Sequence, residues 1–221
     1  MTLPAARALA VFAAARDWMA ADPHVQDPAT GGYRVESIYL DTPHFDCFRP
    51  RGPVALPKYR IRRYGACCEH VFLEEKVRRG LSVWKRRVAS TQAALEDLVA
   101  GVPAQRPDVA WYLERMRMLD LRATLLLVYE RRALVGAQGE RFTVDERLRA
   151  SPLADGRPDF APESPARSLG AECVVEIKFH GAPSPLVQRL FELVQQDPTP
   201  YSKYRHGVQV LGIAPARDRS P

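Results

Sequence analysis

The chain has 221 residues, 46% of them hydrophobic, which is enough for one sizeable domain with a hydrophobic core. Its formal net charge of +6 at pH 7 predicts an anionic partner, although net charge alone does not identify that partner. The four cysteines lack the spacing of a zinc site or a disulfide framework, which favours a cytoplasmic setting, and no run of 18 uncharged apolar residues indicates membrane insertion.

The first part of the chain predicts one helix followed by several strands. An amphipathic helix is expected from Pro4 to about Ala21, because apolar residues recur at helical spacing and Asp22-Pro23 follows. Alternating segments then predict four strands, at Tyr33–Pro43, Leu56–Gly65, His70–Arg78 and Ser82–Ala89. Arg79-Gly80 is predicted to turn the chain between the last two of them.

The second part mixes helices and strands. Two helices are predicted, one capped by Ser90 or Thr91 and one led by Pro107. The later elements are predicted as strands at Arg122–Leu134, Glu140–Leu148 and Ala171–Phe179, a mobile loop at about 151–168, a helix at Ser184–Gln196 and a short element at Ser202–Leu211. Short connections favour antiparallel pairing, so the sequence predicts a single α+β domain over residues 1–221.

Nearly every predicted strand is charged on one side and apolar on the other. In KYRIRRYG, alternation puts Lys58, Arg60 and Arg62 on one face, where like charges about 7 Å apart repel unless an anion lies between them. The same spacing groups further side chains: Glu74, Lys76 and Arg78; Lys85 and Arg87; Arg141, Thr143, Asp145 and Arg147; Glu176 and Lys178. This pattern favours a barrel with a basic lumen and helices outside, and a half-exposed sheet with a charged outer face is the alternative.

A series of motifs also carries a family resemblance. These are SIYLDTP, F-x-x-R at Phe48 to Arg51, KYRIRRYG, FLEEKVRRG, SVWKRRV, YERRA, RFTVDERL, VVEIKF and YSKYRHGV. In order and spacing, they resemble the VTC domain, the polyphosphate polymerase domain of the CYTH-like triphosphate tunnel metalloenzyme superfamily. The resemblance implies an antiparallel eight-stranded β-barrel tunnel, or seven strands here, because the family's opening R-x-E-x-K strand has no counterpart before MTLP. A start assigned too far downstream is expected, and a missing tunnel wall is the alternative.

The resemblance implies a role for each matching residue. Arg60 and Arg62 match paired arginines that grip phosphate oxygens, and Glu176 looks like the carboxylate that holds Mn²⁺ or Mg²⁺. The catalytic group implied by the family is Arg60, Arg62, Lys76, Lys85, Arg87 and Arg131. The implied substrate-binding group is Lys58, Arg51, Arg78, Lys178, Ser202 and Lys203.

The resemblance also implies a reaction and partners. ATP, triphosphate and polyphosphate are the implied ligands, and the implied reaction transfers the γ-phosphoryl group of ATP to a polyphosphate chain. A tunnel hydrolase and a non-catalytic polyphosphate-binding module stay open, as does a separate membrane partner. Nucleic-acid binding is disfavoured, because the basic faces contain almost no aromatic residues for base stacking.

Several of these residues have a structural alternative. Glu176 and Lys178 also fit an ion pair on an outer face, although Glu74 and Lys76 repeat their spacing on another strand. Asp145 fits either a metal role or an ion pair with Arg141 or Arg147. Ser202 fits an N-cap of a helix as well as a substrate contact.

Overall fold

The computed structural model describes residues 1–25, 31–49, 56–65, 69–79, 82–99 and 107–215, and the following account concerns these residues. The strands are β1 Thr2–Pro4, β2 Ala20–Ala21, β3 Gly32–Asp41, β4 Lys58–Tyr64, β5 His70–Arg79, β6 Ser82–Thr91, β7 Arg122–Val135, β8 Arg141–Pro152, β9 Arg167–Ser168 and β10 Glu172–Lys178. The helices are α1 Ala5–Ala15, α2 Gln92–Val99, α3 Pro107–Met118, α4 Pro185–Val194 and α5 Lys203–Leu211.

The predicted α+β architecture with an antiparallel sheet is confirmed. The strands follow the order β1-β10-β8-β7-β3-β4-β5-β6, while β2 pairs with β7 and β9 pairs with β8. Setting aside these two-residue strands, the path contains eight strands, the number that the resemblance implies. Every long strand predicted from the sequence is present within a few residues of its expected bounds.

The beginning of the chain differs from the sequence prediction. Pro4 belongs to β1, which pairs with β10 through Thr2 and Val174, and its extended backbone (φ −53°, ψ 140°) directly precedes α1. The helix ends at Ala15 rather than near Ala21, because Ala20 and Ala21 pair with β7. Strand pairing therefore overrides the helix propensity of alanine here. The predicted short element after Ser202 is the helix α5.

The chain divides into two compact units, and β3, β7, β8 and β9 contribute residues to both. The first unit comprises residues 1–35, 128–148 and 168–202. Its hydrophobic core consists of Leu3, Ala8, Val11, Phe12, Ala15, Met19, Leu134, Phe142, Val144, Cys173, Val175, Leu190 and Val194. Helix α4 begins as predicted, since Ser184 Oγ accepts a hydrogen bond from the Val187 amide and Pro185 occupies the first turn.

The second unit comprises residues 36–127, 149–167 and 203–221. The apolar face of its β4–β5 pair buries Tyr59, Ile61, Val71 and Leu73. Tyr112 of α3 packs edge-on against Tyr59, with ring centroids 6.0 Å apart. Because side chains alternate along a strand, the opposite face of these strands carries the charged residues.

The segment predicted as a loop lies between the end of β8 and the start of β9. Asp155 Oδ1 accepts from the Arg157 amide and Asp159 Oδ1 accepts from the Ala161 amide, at 3.0 and 2.8 Å. These short-range bonds are the turn contacts that aspartate commonly makes. Among the described residues, no helix combines the length and the apolar character that crossing a bilayer requires.

Candidate functional site

Charged side chains form rows across β4, β5 and β6. In one row Lys58 is paired in register with Lys76, and Lys76 with Lys85. The next row is Arg60, Glu74 and Arg87, and the one after it is Arg62, Phe72 and Ala89. Directly opposed residues have Cβ atoms about 5 Å apart, so like charges in one row destabilise the sheet unless an anion compensates them. We refer to Lys58, Arg60, Arg62, Lys76, Lys85 and Arg87 as the β4–β6 cluster.

Glu74 is the carboxylate around which this cluster is assembled. Its side chain is only 1% exposed, and it pairs with Arg60, with Lys85 Nζ at 2.7 Å and with Arg87 Nε at 3.6 Å. Burial would raise the pKa of Glu74, but Arg60, Arg62 and Lys85 outweigh burial and lower it to about 2. Glu74 is therefore ionised at neutral pH, and its single charge is shared among several cations.

Tyr39 connects the arginines of this cluster to α5. Arg60 Nη1 donates a hydrogen bond to the Tyr39 hydroxyl at 3.4 Å, and the Tyr39 ring stacks on Tyr204 with centroids 5.1 Å apart. Burial would raise the pKa of the Tyr39 phenol, but Arg60, Arg62 and Lys203 lower it below its usual value. The sequence analysis missed Tyr39, although alternation in SIYLDTP places it on the same face as Ser37.

Arg62 and the lysines show how crowded the positive charge is. Arg62 is buried, and its Nε donates to Ser37 Oγ at 2.9 Å. Burial lowers the pKa of Lys58, with Arg205 and Lys76 acting in the same direction. Burial also lowers the pKa of Lys85, since Glu74 only partly offsets the combined effect of burial, Arg60 and Arg62. Burial and the neighbouring cations therefore lower the pKa values of Lys58 and Lys85, so these lysines lose their protons more readily than exposed lysines do.

Aromatic rings also lie on this basic face, contrary to the sequence analysis. Phe72 is the register partner of Arg62, and the Arg87 guanidinium carbon lies 3.6 Å from the centre of the Phe72 ring. Tyr64 meets Phe72 edge-on, with ring centroids 5.7 Å apart. The alternation that selected Arg60 and Arg62 also selects Tyr64, so the signal was present in the sequence.

A second group of predicted residues lies in the first unit, on β7, β8 and β10. Arg131 binds Asp145 through two hydrogen bonds, Nε at 2.6 Å and Nη2 at 2.8 Å, and both side chains are buried. The structure thus gives Asp145 a partner, Arg131, that the sequence analysis did not name, since it had offered Arg141 and Arg147. Arg141 Nη2 instead pairs with Asp22 Oδ2 at 2.6 Å and donates to the Tyr33 hydroxyl at 2.8 Å.

Glu176 and Lys178 lie beside this group on β10. Their register partners on β8 are Thr143 and Arg141. Lys178 Nζ contacts Glu176 Oε2 at 3.2 Å, and the two side chains are 55% and 41% exposed. Burial, with Arg131 and Arg141, lowers the pKa of Lys178, and Glu176 opposes this only in part. We call Arg131, Glu176 and Lys178, together with Arg141, Thr143 and Asp145, the β8–β10 cluster.

The donor atoms fit a divalent ion only in a limited way. The described residues contain no group of three or more His, Cys, Asp or Glu side chains that could hold a metal ion. Asp145 is bound bidentately by Arg131, whereas Glu176 is partly exposed and its register partner Thr143 has a buried hydroxyl without a hydrogen-bond partner in the described structure. Mg²⁺ is commonly held by one or two carboxylates plus substrate phosphates, so Glu176 fits as a single protein ligand.

Three further residues were predicted to bind substrate: Ser202, Arg51 and Arg78. Ser202 immediately precedes α5, the position of an N-cap. Arg51 lies outside the described residues. Arg78 is paired in register with Val83, and its side chain lies outside what the structure describes.

The chain was compared with known proteins. The family model of the VTC domain matches residues 2–212. No curated protein matches the sequence. A similar solved structure is a "putative adenylate cyclase" from Bacillus halodurans, with 10% identity, coverage of 93% of this chain and 93% of that chain, and a TM-score of 0.55. This likeness shows a shared fold.

Two further structures are less similar. A "putative adenylyl cyclase" from Hippeastrum with a dominant triphosphatase activity has 13% identity, covers 88% of this chain and 81% of that chain, and has a TM-score of 0.49. The PH1819 protein from Pyrococcus horikoshii OT3 has 17% identity, covers 91% of each chain and has a TM-score of 0.47.

Proposed function

Because the chain belongs to the VTC domain family, we propose that it is a polyphosphate-forming phosphotransferase. In this proposal the β4–β6 cluster binds the phosphates of ATP and of polyphosphate, and the γ-phosphoryl group of ATP passes to the end of the polyphosphate chain. The family membership supports a role in triphosphate or polyphosphate chemistry, and the direction of the reaction is the part that experiment must decide.

The row of Lys58, Lys76 and Lys85 is the observation that carries the proposal. Their strands are about 4.8 Å apart, so the three lysines lie side by side on one face of neighbouring strands. An adjacent Glu74 offsets one of these charges and is shared with Arg60 and Arg87. A polyanion with a charge on every unit would match this row, in which the register places three lysines and no carboxylate. A solvated outer face would place carboxylates in that row instead.

The arginines of the cluster are held in position before any ligand arrives. Glu74 fixes Arg60, and Ser37 fixes Arg62. Phosphoryl transfer requires little covalent chemistry from the protein, because positioning and stabilisation of charge on the phosphoryl oxygens provide most of the catalysis. Prepositioned guanidinium groups suit this task, since they bind phosphate oxygens in a fixed, often bidentate geometry.

Glu176 is proposed to hold the divalent ion. A bound Mg²⁺ or Mn²⁺ would neutralise charge on the phosphates and help to align them. Lys178, 3.2 Å from Glu176, would keep the carboxylate oriented and contact phosphate oxygens. These residues belong to the first unit, on β10, which pairs with β8.

A cytoplasmic location is part of the proposal. Cys47 and Cys173 are both buried and free, which suits a reducing compartment. Burial, together with Asp41 and Asp46, raises the pKa of Cys47 above its usual range. This thiol is therefore protonated and unreactive at neutral pH, which agrees with a structural role.

The activity test uses the whole chain with ATP, Mn²⁺ and a short polyphosphate primer, and separates products by length on a gel. We expect longer polyphosphate together with ADP. Glu176→Gln should keep the affinity for inorganic triphosphate within about tenfold, or roughly 1.4 kcal/mol, and abolish metal-dependent product formation. The control Glu172→Gln removes a carboxylate from the first residue of the same strand and should leave activity unchanged.

Two outcomes would replace this proposal. Release of inorganic phosphate without chain growth would assign the protein as a triphosphate or polyphosphate hydrolase. Binding of triphosphate with no product under any metal, and no effect of Glu176→Gln, would assign it as a polyphosphate-binding module.

A further inference from the structure

A stack of rings and guanidinium groups lies at one end of the basic face. The Arg87 guanidinium carbon is 3.6 Å from the Phe72 ring centre and 5.6 Å from the Tyr64 ring centre. The Arg62 guanidinium carbon lies 5.9 Å from the Tyr64 ring centre. The rings of Tyr64 and Phe72 meet at an interplanar angle of 64°. Two cations and two rings therefore form one compact group within the second unit.

The exposure of Arg87 shows that solvent can reach this group. Its side chain is 37% exposed, although its guanidinium lies close to the Phe72 ring and its Nε is 3.6 Å from Glu74 Oε1. Because the guanidinium carbon of Arg87 lies over the Phe72 ring, that ring covers one side of it, and the exposed remainder is available for a second planar partner. Planar bases stack on arginine guanidinium groups as well as on aromatic rings.

Phosphate binding alone does not explain these rings. Phosphate oxygens are bound by cations and N–H donors, and the rows of Lys58 and Arg60 already provide these. Tyr64 and Phe72 bring aromatic surface to a face that is otherwise charged. The arginines also act on Tyr64: burial would raise the pKa of its phenol, but Arg62 and Arg87 lower it. Tyr64 is thus coupled electrostatically to Arg62 and Arg87, two cations of the β4–β6 cluster.

The position of the stack matches the shape of a nucleotide. Residues two apart in a strand are about 7 Å apart, so Tyr64 lies about 13 Å from Arg60 along β4. An extended nucleoside triphosphate covers such a span, with its base at one end and its terminal phosphate at the other. The rows of Lys58 and Arg60 would then face the phosphates, and the stack would face the base.

We propose that the group formed by Tyr64, Phe72 and Arg87 binds the base of the nucleoside triphosphate, with the base stacked on the Arg87 guanidinium that Phe72 backs. This inference rests on the proposed binding of triphosphate at the β4–β6 cluster. Stacking accepts any base because every base has a π-face, so the site should prefer nucleotides over inorganic triphosphate. Purines should bind more tightly than pyrimidines because they cover more of the platform.

The test compares dissociation constants for ATP and for inorganic triphosphate, both without metal, in the wild-type chain and in Phe72→Leu. We expect Phe72→Leu to weaken ATP binding about tenfold, a typical effect of losing one stacking partner, and to change triphosphate binding less than twofold. Tyr64→Leu should act in the same direction with a smaller effect. Phe179→Leu is the matched control, because Phe179 makes a similar edge-on contact with Phe191 in the other unit, and it should change neither constant.

Several results would overturn the inference. Equal losses of ATP and triphosphate affinity would mean that the rings only support the arginines, and no loss of either would mean that the base lies elsewhere. A single-stranded oligonucleotide whose binding depends on Phe72 while ATP binding does not would assign the stack to nucleic acid. If Phe72→Leu does not fold, Phe72→Tyr keeps the ring and should retain the preference for ATP, whereas its loss would contradict the inference.

Failure of the triphosphate binding on which this inference rests would look different. In that case wild-type protein would bind neither triphosphate nor ATP, whatever the residue at position 72. Saturation-transfer NMR on bound ATP gives an independent measurement: the base protons should receive more saturation than the ribose protons, and the reverse order would contradict stacking. Tyr64→Phe, which keeps the ring, should leave that pattern unchanged.

Discussion

The strands around the β8–β10 cluster and those of the β4–β6 cluster differ in the number of carboxylates available to each cation. In the first unit three arginines each have a carboxylate partner: Arg131 pairs with Asp145, Arg132 with Glu146 and Arg141 with Asp22. In the second unit Arg60, Lys85 and Arg87 share the single carboxylate of Glu74. A carboxylate compensates the charge of the cation that it pairs with. Where cations outnumber carboxylates, an anionic ligand can compensate the remaining positive charge. We therefore expect these paired arginines to stabilise the fold, and the cations that share Glu74 to bind phosphate.

The largest loss of stability is expected from a change in the buried ion pair of Arg131 and Asp145. Asp145→Asn leaves the buried guanidinium of Arg131 without its anion, and breaking such a pair costs about 3–5 kcal/mol of unfolding free energy. Urea unfolding at neutral pH measures this change. Glu146→Gln is the control, because its pair with Arg132 is more exposed and should cost about 1 kcal/mol or less. Equal losses in the two variants would contradict the assignment of Asp145 as a buried structural partner.

A smaller loss of stability is expected from a change at Glu74 in the β4–β6 cluster, and a bound anionic ligand should restore part of that stability. The pKa of Glu74 is depressed from 4.5 to about 2, so its ionised form contributes about 3 kcal/mol of stability. The folded pKa lies below the unfolded one, so this contribution is fully present above about pH 4.5 and disappears as pH falls toward 2. Glu74→Gln should therefore lower stability at pH 7, and its difference from wild type should shrink across that acid window.

Ligand distinguishes the two losses. Inorganic triphosphate should raise the melting temperature of Glu74→Gln more than that of wild type, because phosphate oxygens replace the missing carboxylate. The corresponding rise should be smaller in Asp145→Asn, whose unpaired Arg131 is buried. An equal rise in both variants would mean that the two clusters do not differ in the way described.

Much of the basic face could be predicted from the sequence. Strict alternation in KYRIRRYG and SVWKRRV identified Lys58, Arg60, Arg62, Lys85 and Arg87, because a strand leaves only two faces to choose from. The register could not be predicted, since it depends on how separate strands align, and it is the register that assembles the lysine row. The family resemblance supplied the order of the motifs, and the structure supplied their neighbours.

Physical reasons explain why the sequence analysis missed some residues and contacts. Tyr39 and Phe72 were not sought on the basic face because aromatic residues are typical of cores. Arg131 was expected to be catalytic, which stays a prediction, and its bond to Asp145 depends on the register between the neighbouring strands β7 and β8. Pro4 was assigned to a helix because the pairing of Thr2–Pro4 with β10 is a long-range contact.

A modest dependence on pH should appear in ligand binding. The pKa values of Lys58 and Lys85 are lowered from 10.5, so these lysines lose their protons at a lower pH than ordinary lysines do. Triphosphate binds the protonated forms, so affinity should fall as pH rises toward 10.5, and binding should take up protons on the alkaline side. Calorimetry in buffers with different ionisation enthalpies measures the uptake. Its absence near pH 9 would show that these lysines do not contact the ligand.

The salt dependence of triphosphate binding tests the central claim most directly. The dissociation constant is measured over a series of salt concentrations for wild type, for Lys58→Gln combined with Lys76→Gln, and for Arg122→Gln, a cation that pairs with Asp120 at the surface. We predict that wild-type affinity falls steeply with salt, that the lysine variant binds at least about tenfold more weakly at low salt with a shallower slope, and that Arg122→Gln matches wild type. An affinity independent of salt, or identical slopes in all three proteins, would contradict the account.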